Sequence, residues 1–244
     1  MSFKGNIGTV LVAAFALSLA MCSASCRSEE VPAPELRERM VRSQIERRGI
    51  TEPAIVSAFI EVPREEFVLP RYRERAFEDI EIPIGFGESL DRPYDNALMI
   101  RALGIGPSSR VLEVGTGVGY LASVMSRIAR EVFTIEIDPG MAAAARKNIG
   151  RLGYSNVRIK TGDGYAGWPE HAPFDAIVLT TSPPRVPRPL AEQLAEGGRM
   201  VIPLGGSKRH QELMLYTKEG KTLKGPVRLA PAEFTPMKGI IKER

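Results

Sequence analysis

Short apolar runs punctuate the second half of the chain, each closed by glycine or an acid and separated from the next by helical spacing. Val111, Leu112 and Val114, then Val132 to Ile137, Val157 to Lys160, Phe174 to Thr180 and Met200 to Leu204 have the continuous apolar character of strands buried on both faces. Between them, Leu121 to Ala129 repeats at helical spacing, Pro139 opens an alanine-rich helix to Leu152, Pro189 to Leu194 makes a short helix, and Gly197-Gly198 a turn. Leu213 to Tyr216 and the residues from Thr222 onward, separated by Lys218 to Lys221, form a hairpin pattern. The alternation predicts an α/β fold with a mostly parallel sheet and a reversed edge strand.

Upstream the pattern turns helical and amphipathic. Leu36 to Arg48 places Leu36, Met40, Val41 and Ile45 on one side and stops at Gly49. Thr51 as cap and Pro53 in the first turn open a second helix through Ile60. Ile80 to Ile84 is a short apolar segment, Gly85 to Tyr94 a loop without regular period, and Pro93 to Leu103 a helix that leads into the first strand.

The first thirty residues have a different character. Lys4 precedes an almost wholly apolar run from Val10 to Ala20, followed by small residues and Cys22 and Cys26, the order of a secretory signal. The run is short for a membrane span. Leu19-Ala20-Met21-Cys22 reads as a lipoprotein signal with an unusual Met before the cysteine, and Ser23-Ala24-Ser25 offers a second cleavage site before Cys26. The division expected is leader 1–26, linker 27–34 and globular domain 35–244, itself a helical cap with a loop (35–109) and a core (110–244). An exported or lipid-anchored protein follows from the leader; a true start at Met40 or another codon would leave the protein cytoplasmic. Both cysteines fall in the leader, so the domain holds neither an internal disulfide nor a paired-cysteine metal site.

The 244 residues suffice for one substantial domain plus a small appendage. With 43% hydrophobic and 25% charged residues the composition is ordinary, and a net charge of +4, spread along the chain, gives no argument for nucleic acid.

Candidate chemistry concentrates in Arg110 to Asp138. Gly115, Gly117 and Gly119 follow the first strand at once, so the backbone can turn sharply and approach a ligand. The spacing is G-x-G-x-G with Glu113 two residues ahead, whereas a dinucleotide site wants G-x-G-x-x-G. S-adenosylmethionine, which has no pyrophosphate, suits this turn better. Glu136, ending the second strand, can accept from a ribose, and Asp163 in Gly162-Asp163-Gly164 from an adenine amine. Glu113, Gly115, Thr116, Gly117, Gly119, Glu136, Asp163 and Gly164 are therefore the candidate cofactor-binding residues. A plain glycine turn in a ligand-free domain is the bland alternative. Asp175, at the entry to the fourth strand, reads as structural.

Longer words in the chain are more specific: VPREEFV at Val62 to Val68, IPIGFGESLDRPY at Ile82 to Tyr94, VLEVGTGVGY at Val111 to Tyr120, GDGYAGWPEHAPFDAIVLTTSPP at Gly162 to Pro184 and LAEGGRMVIPLG at Leu194 to Gly205. Together they make the chain, from about Leu36 onward, resemble the protein-L-isoaspartate O-methyltransferases. The resemblance implies a Rossmann-like class I methyltransferase fold with a seven-stranded sheet. It also implies methyl transfer from S-adenosylmethionine to the free carboxyl of isoaspartyl residues in damaged proteins, whose esters collapse to a succinimide that can reopen as aspartate. A monomer acting on isoaspartyl proteins, without nucleic acid and meeting a membrane only through an N-terminal lipid, is expected.

A carboxylate is ionised at neutral pH, so its attack on a sulfonium methyl needs no general base. Neither histidine, His171 or His210, sits in a motif that would make it one. In the resembled family the loop before Pro-Tyr reads Thr-Ile-Ser, its serine being taken as the active-site residue; here it reads Ser89-Leu90-Asp91. Asp91 and Ser89 are the candidate catalytic residues. An ionised Asp91 would repel an acceptor carboxylate, so either its pKa is raised, or Arg92 neutralises it, or the acceptor differs. Two other classes remain: a non-catalytic binding relative, and an amino-methyltransferase of nucleic acid, suggested by Ser182-Pro183-Pro184 but lacking an aromatic after it, where Arg185 stands.

Overall fold

The computed structural model describes residues 1–2, 31–205 and 210–239. The chain divides into two units, Met1–Glu30 and Val31–Arg244; the leader and its cysteines lie outside the described residues.

Helix α1 (Ala33–Met40) begins inside the stretch expected to be linker, with Pro32 at its N-cap and Pro34 in its first turn. The helix then widens to a π turn over Val41–Ile45 and tightens to 3-10 over Glu46–Arg48 before Gly49 stops it at φ 86°. Helix α2 (Pro53–Glu61) starts on Pro53, but its N-cap is Glu52 and no side chain caps it, so Thr51 does not act as expected. Ile82–Gly85 (β1), within and just beyond the expected apolar segment, and Glu88–Leu90 (β2), in the expected irregular loop, pair as an antiparallel hairpin. Its turn has positive φ at Gly85 (93°), Phe86 (58°) and Gly87 (77°), which interrupts the alternation that would have revealed the strands.

Helix α3 (Pro93–Leu103) delivers the chain to the sheet: β3 (Arg110–Val114), α4 (Tyr120–Ser126), β4 (Glu131–Glu136), α5 (Pro139–Leu152), β5 (Val157–Thr161), β6 (Phe174–Leu179), α6 (Arg188–Gln193), β7 (Leu194–Leu204), β8 (Gln211–Glu219) and β9 (Thr222–Ala232). Strand order is β5-β4-β3-β6-β7-β8-β9. Strands β3 to β7 run parallel; β8 is antiparallel to both neighbours, so the reversed strand sits one in from the edge. Gly197 and Gly198, expected as a turn, lie within β7, where the pairing with β6 slips register between Phe174 and Ala176.

Both faces of the sheet are covered, as the continuous apolar strands require. On one face Val111, Val132, Ala176, Val178 and Val201 pack with the helices that precede the sheet, through Ile45, Phe59 and Ile100, and with α4 through Val124. On the other, Leu112, Phe133, Ile177, Met200 and Ile202 form a second cluster with Leu190 and Phe174. The register sets Leu112 opposite Phe133 on one side and Ile177 on the other. Asp175 accepts from the Arg110 backbone N–H at 2.8 Å, a structural role as the sequence suggested.

Candidate active site

The chain reverses from β3 into α4 through Gly115, Gly117 and Gly119, whose φ values are 102°, 56° and 91°. Each lies in the left-handed region where side chains are strained. A Cβ on Gly115 would come within 2.3 Å of Thr180 Oγ1, and one on Gly119 within 2.9 Å of Ile149. Gly117 meets nothing closer than 3.6 Å, and its N–H donates to Glu136 Oε2 at 2.8 Å. The other oxygen of Glu136 accepts from the Asp138 N–H at 3.0 Å, so this carboxylate at the end of β4 is fixed by two main-chain donors.

Behind the turn, Thr134 donates to Glu113 Oε2 and shares a 2.5 Å hydrogen bond with Thr116. Glu113 is fully buried and its Oε1 has no partner. Burial, with Glu136 and Asp91 nearby, pushes its pKa up to about 8 against the Thr134 hydrogen bond, so the carboxyl carries a proton at neutral pH.

Glu113, Gly115, Thr116, Gly117 and Glu136 line a cavity at the carboxyl ends of β3, β4 and β6. Its opposite wall is the β1–β2 hairpin with Glu88, Ser89 and Asp91. Its roof is the segment after β9, Glu233 to Lys238. Thr235 Oγ1 and Lys238 Nζ donate to the two oxygens of Glu88 at 2.6 and 2.7 Å, which fastens roof to hairpin. The Ser182 N–H donates to Thr235 O and the Met237 N–H to Ser182 O, both at 2.9 Å. Ser182-Pro183-Pro184 thus opens on a residue that anchors the roof.

Asp91 is half-buried in this wall. Burial first, then the like charges of Asp95 and Glu81, push its pKa up to about 7 against Arg64 and Arg92. Arg64 is fully buried: its Nη2 donates to the Asp91 carbonyl at 2.7 Å, its Nε to the Ala76 carbonyl at 2.9 Å, and its guanidinium stands 4.9 Å from the Tyr120 ring centroid.

Of the residues singled out in the sequence, Glu113, Gly115, Thr116, Gly117, Glu136, Gly164, Ser89 and Asp91 line the cavity. Gly119 does not; it is the left-handed N-cap of α4, and its missing side chain makes room for Ile149. Asp163 is not among the lining residues either: its Oδ1 caps the next turn through the Tyr165 N–H at 2.9 Å, and a side-chain carbon on Gly239 would fall 2.6 Å from its carboxyl group. The sequence reading missed Arg64, Asn96, Tyr120, Thr180 and the roof. Asn96 had a signal: it shares the buried face of α3 with Pro93, Ala97, Ile100 and Leu103, where the period calls for an apolar residue. Among the described residues, no group of His, Cys, Asp and Glu could hold a metal ion.

Polar atoms buried in the lining without partners, Asn96 Oδ1 and Nδ2 and Glu113 Oε1, call for a ligand rich in donors and acceptors. A glycine-rich turn, an acid at the end of β4 and a cavity between them are the frame of an S-adenosylmethionine-dependent methyltransferase. The profile of the family described as "Protein-L-isoaspartate(D-aspartate) O-methyltransferase (PCMT)" matches residues 35–239. Relatives named protein-L-isoaspartate O-methyltransferase include one from Synechococcus sp. (strain JA-2-3B'a(2-13)), 43% identical over 84% of this chain and 86% of its own, and one from Pelobacter propionicus, 45% identical over 83% and 90%. A solved protein-L-isoaspartate O-methyltransferase superposes with a TM-score of 0.75 at 32% identity, over 83% of this chain and 66% of that one. A Plasmodium falciparum beta-aspartate methyltransferase in complex with S-adenosyl-L-homocysteine gives 0.71 at 25% identity, over 86% and 99%. The chain belongs to the protein-L-isoaspartate(D-aspartate) O-methyltransferase family, and is an enzyme that methylates isoaspartyl carboxyl groups with S-adenosylmethionine.

Proposed function

We propose that Asp91, in its protonated form, donates a hydrogen bond to the isoaspartyl carboxylate and holds it for transfer, doing the work of a hydroxyl with a carboxyl group. The observation that carries this is the raised pKa of Asp91 in the cavity wall opposite the glycine turn. Bound S-adenosylmethionine supplies an electrophilic methyl on a sulfonium. An ionised acceptor carboxylate would need no proton removed to take that methyl. What remains for the protein is alignment and exclusion of water, effects that can reach roughly 7 kcal/mol or more.

Glu136 accepts from the ribose hydroxyls while the Gly117 and Asp138 amides hold it still. Gly115 and Gly117 let the main chain approach, Thr116 steadies Thr134 beneath Glu113, and Glu113 presents its free oxygen to the ligand. The Gly164 turn would take the adenine edge, with Asp163 beside it holding the turn through the Tyr165 N–H. Ser89, also in the wall, offers a second hydroxyl to the acceptor.

The decisive measurement is methyl incorporation into an isoaspartyl peptide and its aspartyl twin. Transfer to the first alone is expected; equal transfer to both would remove this reading of the Asp91 wall. The same reading has the enzyme act as a monomer on proteins rather than nucleic acid, supported by the dispersed charge. A leader through residue 26, as the sequence suggests, supports a protein outside the cytoplasm, tethered by lipid at Cys22 or released before Cys26. N-terminal sequencing of the native protein tests this: a first residue at Met40 or nearby would make it cytoplasmic.

A further inference from the structure

On the acceptor side the cavity carries a charge opposite to that of the whole chain. Glu81, Asp91 and Glu233 line both the main cavity and a small side cavity, which Asp95 and Arg92 also border. Arg92 is already bound to Asp95 at 2.8 Å, and Lys238 to Glu88 at 2.7 Å, so each of these cations is matched by its own acid. The remaining cation near Asp91 is Arg64, which is fully buried behind the wall. Glu81 and Glu233 are exposed and make no ion pair or side-chain hydrogen bond among the described residues, in a chain whose net charge is +4. The site they border is built for a polar ligand: Asn96, 1% exposed, lines the main cavity with neither side-chain polar atom bonded.

We propose that Glu81 and Glu233 select isoaspartyl segments carrying a lysine or arginine next to the isoaspartate. This rests on the acceptor reading given above and adds the class of sequence it prefers. A cation beside the acceptor meets two unmatched carboxylates at the mouth, whereas an acidic neighbour meets repulsion from both and from Asp91 above neutral pH. The preference is electrostatic and arises at solvent-exposed groups, so it fades with salt on the scale of a Debye length of about 10 Å at 0.1 M.

Three isoaspartyl peptides, alike except for lysine, glutamine or glutamate flanks, separate the possibilities. At low salt kcat/KM should fall in that order, with about a tenfold span from lysine to glutamate, shrinking as salt is added. The double variant Glu81→Gln/Glu233→Gln should bring the three together while its thermal unfolding stays that of the parent, since both side chains are exposed. Equal rates on all three peptides with the parent enzyme, or a span that survives in the double variant, would overturn the proposal and leave isoaspartyl methylation standing. Failure to methylate any of the three would overturn both.

Discussion

The surroundings of Asp91 raise its pKa, and under the role proposed for it this governs how transfer depends on pH. Its folded pKa is raised from 3.8 to about 7, so the proton that serves the acceptor is present below neutral pH and lost above it. Transfer should therefore decline as pH rises through about 7. In Asp91→Ser, whose hydroxyl does not titrate in this range, the alkaline decline should vanish from the pH profile of kcat/KM. Arg64 acts on the same group from behind. Its guanidinium holds the Asp91 carbonyl in place and, as a buried cation, opposes the upward push on the carboxyl. Replacement by methionine leaves two carbonyls without their donor, at about 1–3 kcal/mol each. It should also move the alkaline limb of the profile to higher pH, because the attraction that favoured the ionised form is gone. A loss of activity uniform in pH would mean that Arg64 only supports the fold.

At the level of elements, the cavity is assembled from segments of unequal visibility. The glycine turn and the acids flanking it were legible because they are contiguous and each does a local job: Gly117 must hold φ 56° and Glu136 must meet its N–H. The hairpin was not, because two very short strands meet at Gly-Phe-Gly and leave no period to read. Nor was the roof, since Glu88 and Lys238 are 150 residues apart and nothing local announces their contact. Arg64 sits in a charged word, Arg64-Glu65-Glu66, that looks solvated, yet it is fully buried. The tether between hairpin and roof is partly exposed, and such pairs contribute only about 0.2–1 kcal/mol. Glu88→Ala should accordingly barely shift the melting temperature, while raising KM for the cofactor several-fold as the roof loosens; an unchanged KM would show that the tether does not hold the site closed.

For the whole molecule, the order β5-β4-β3-β6-β7 places the carboxyl ends of the three central strands at one edge, and the cavity opens there. Short, continuously apolar strands made this architecture readable in the sequence, but which strand is reversed depends on how the last hairpin folds back, and that is settled by packing rather than composition. Each face of the sheet carries its own apolar cluster, and loss of packing in either weakens the whole sheet. Phe133, packed edge-on against Trp168 and Phe174 at 5.6 and 5.5 Å between ring centroids, is the hub of the second cluster. Phe133→Ala should cost about 3–5 kcal/mol in chemical denaturation, with cofactor affinity per folded molecule preserved. The roof leaves a practical legacy: because Glu233 to Lys238 close over the reaction chamber, a reporter inserted in that segment would crowd the doorway through which damaged proteins must enter.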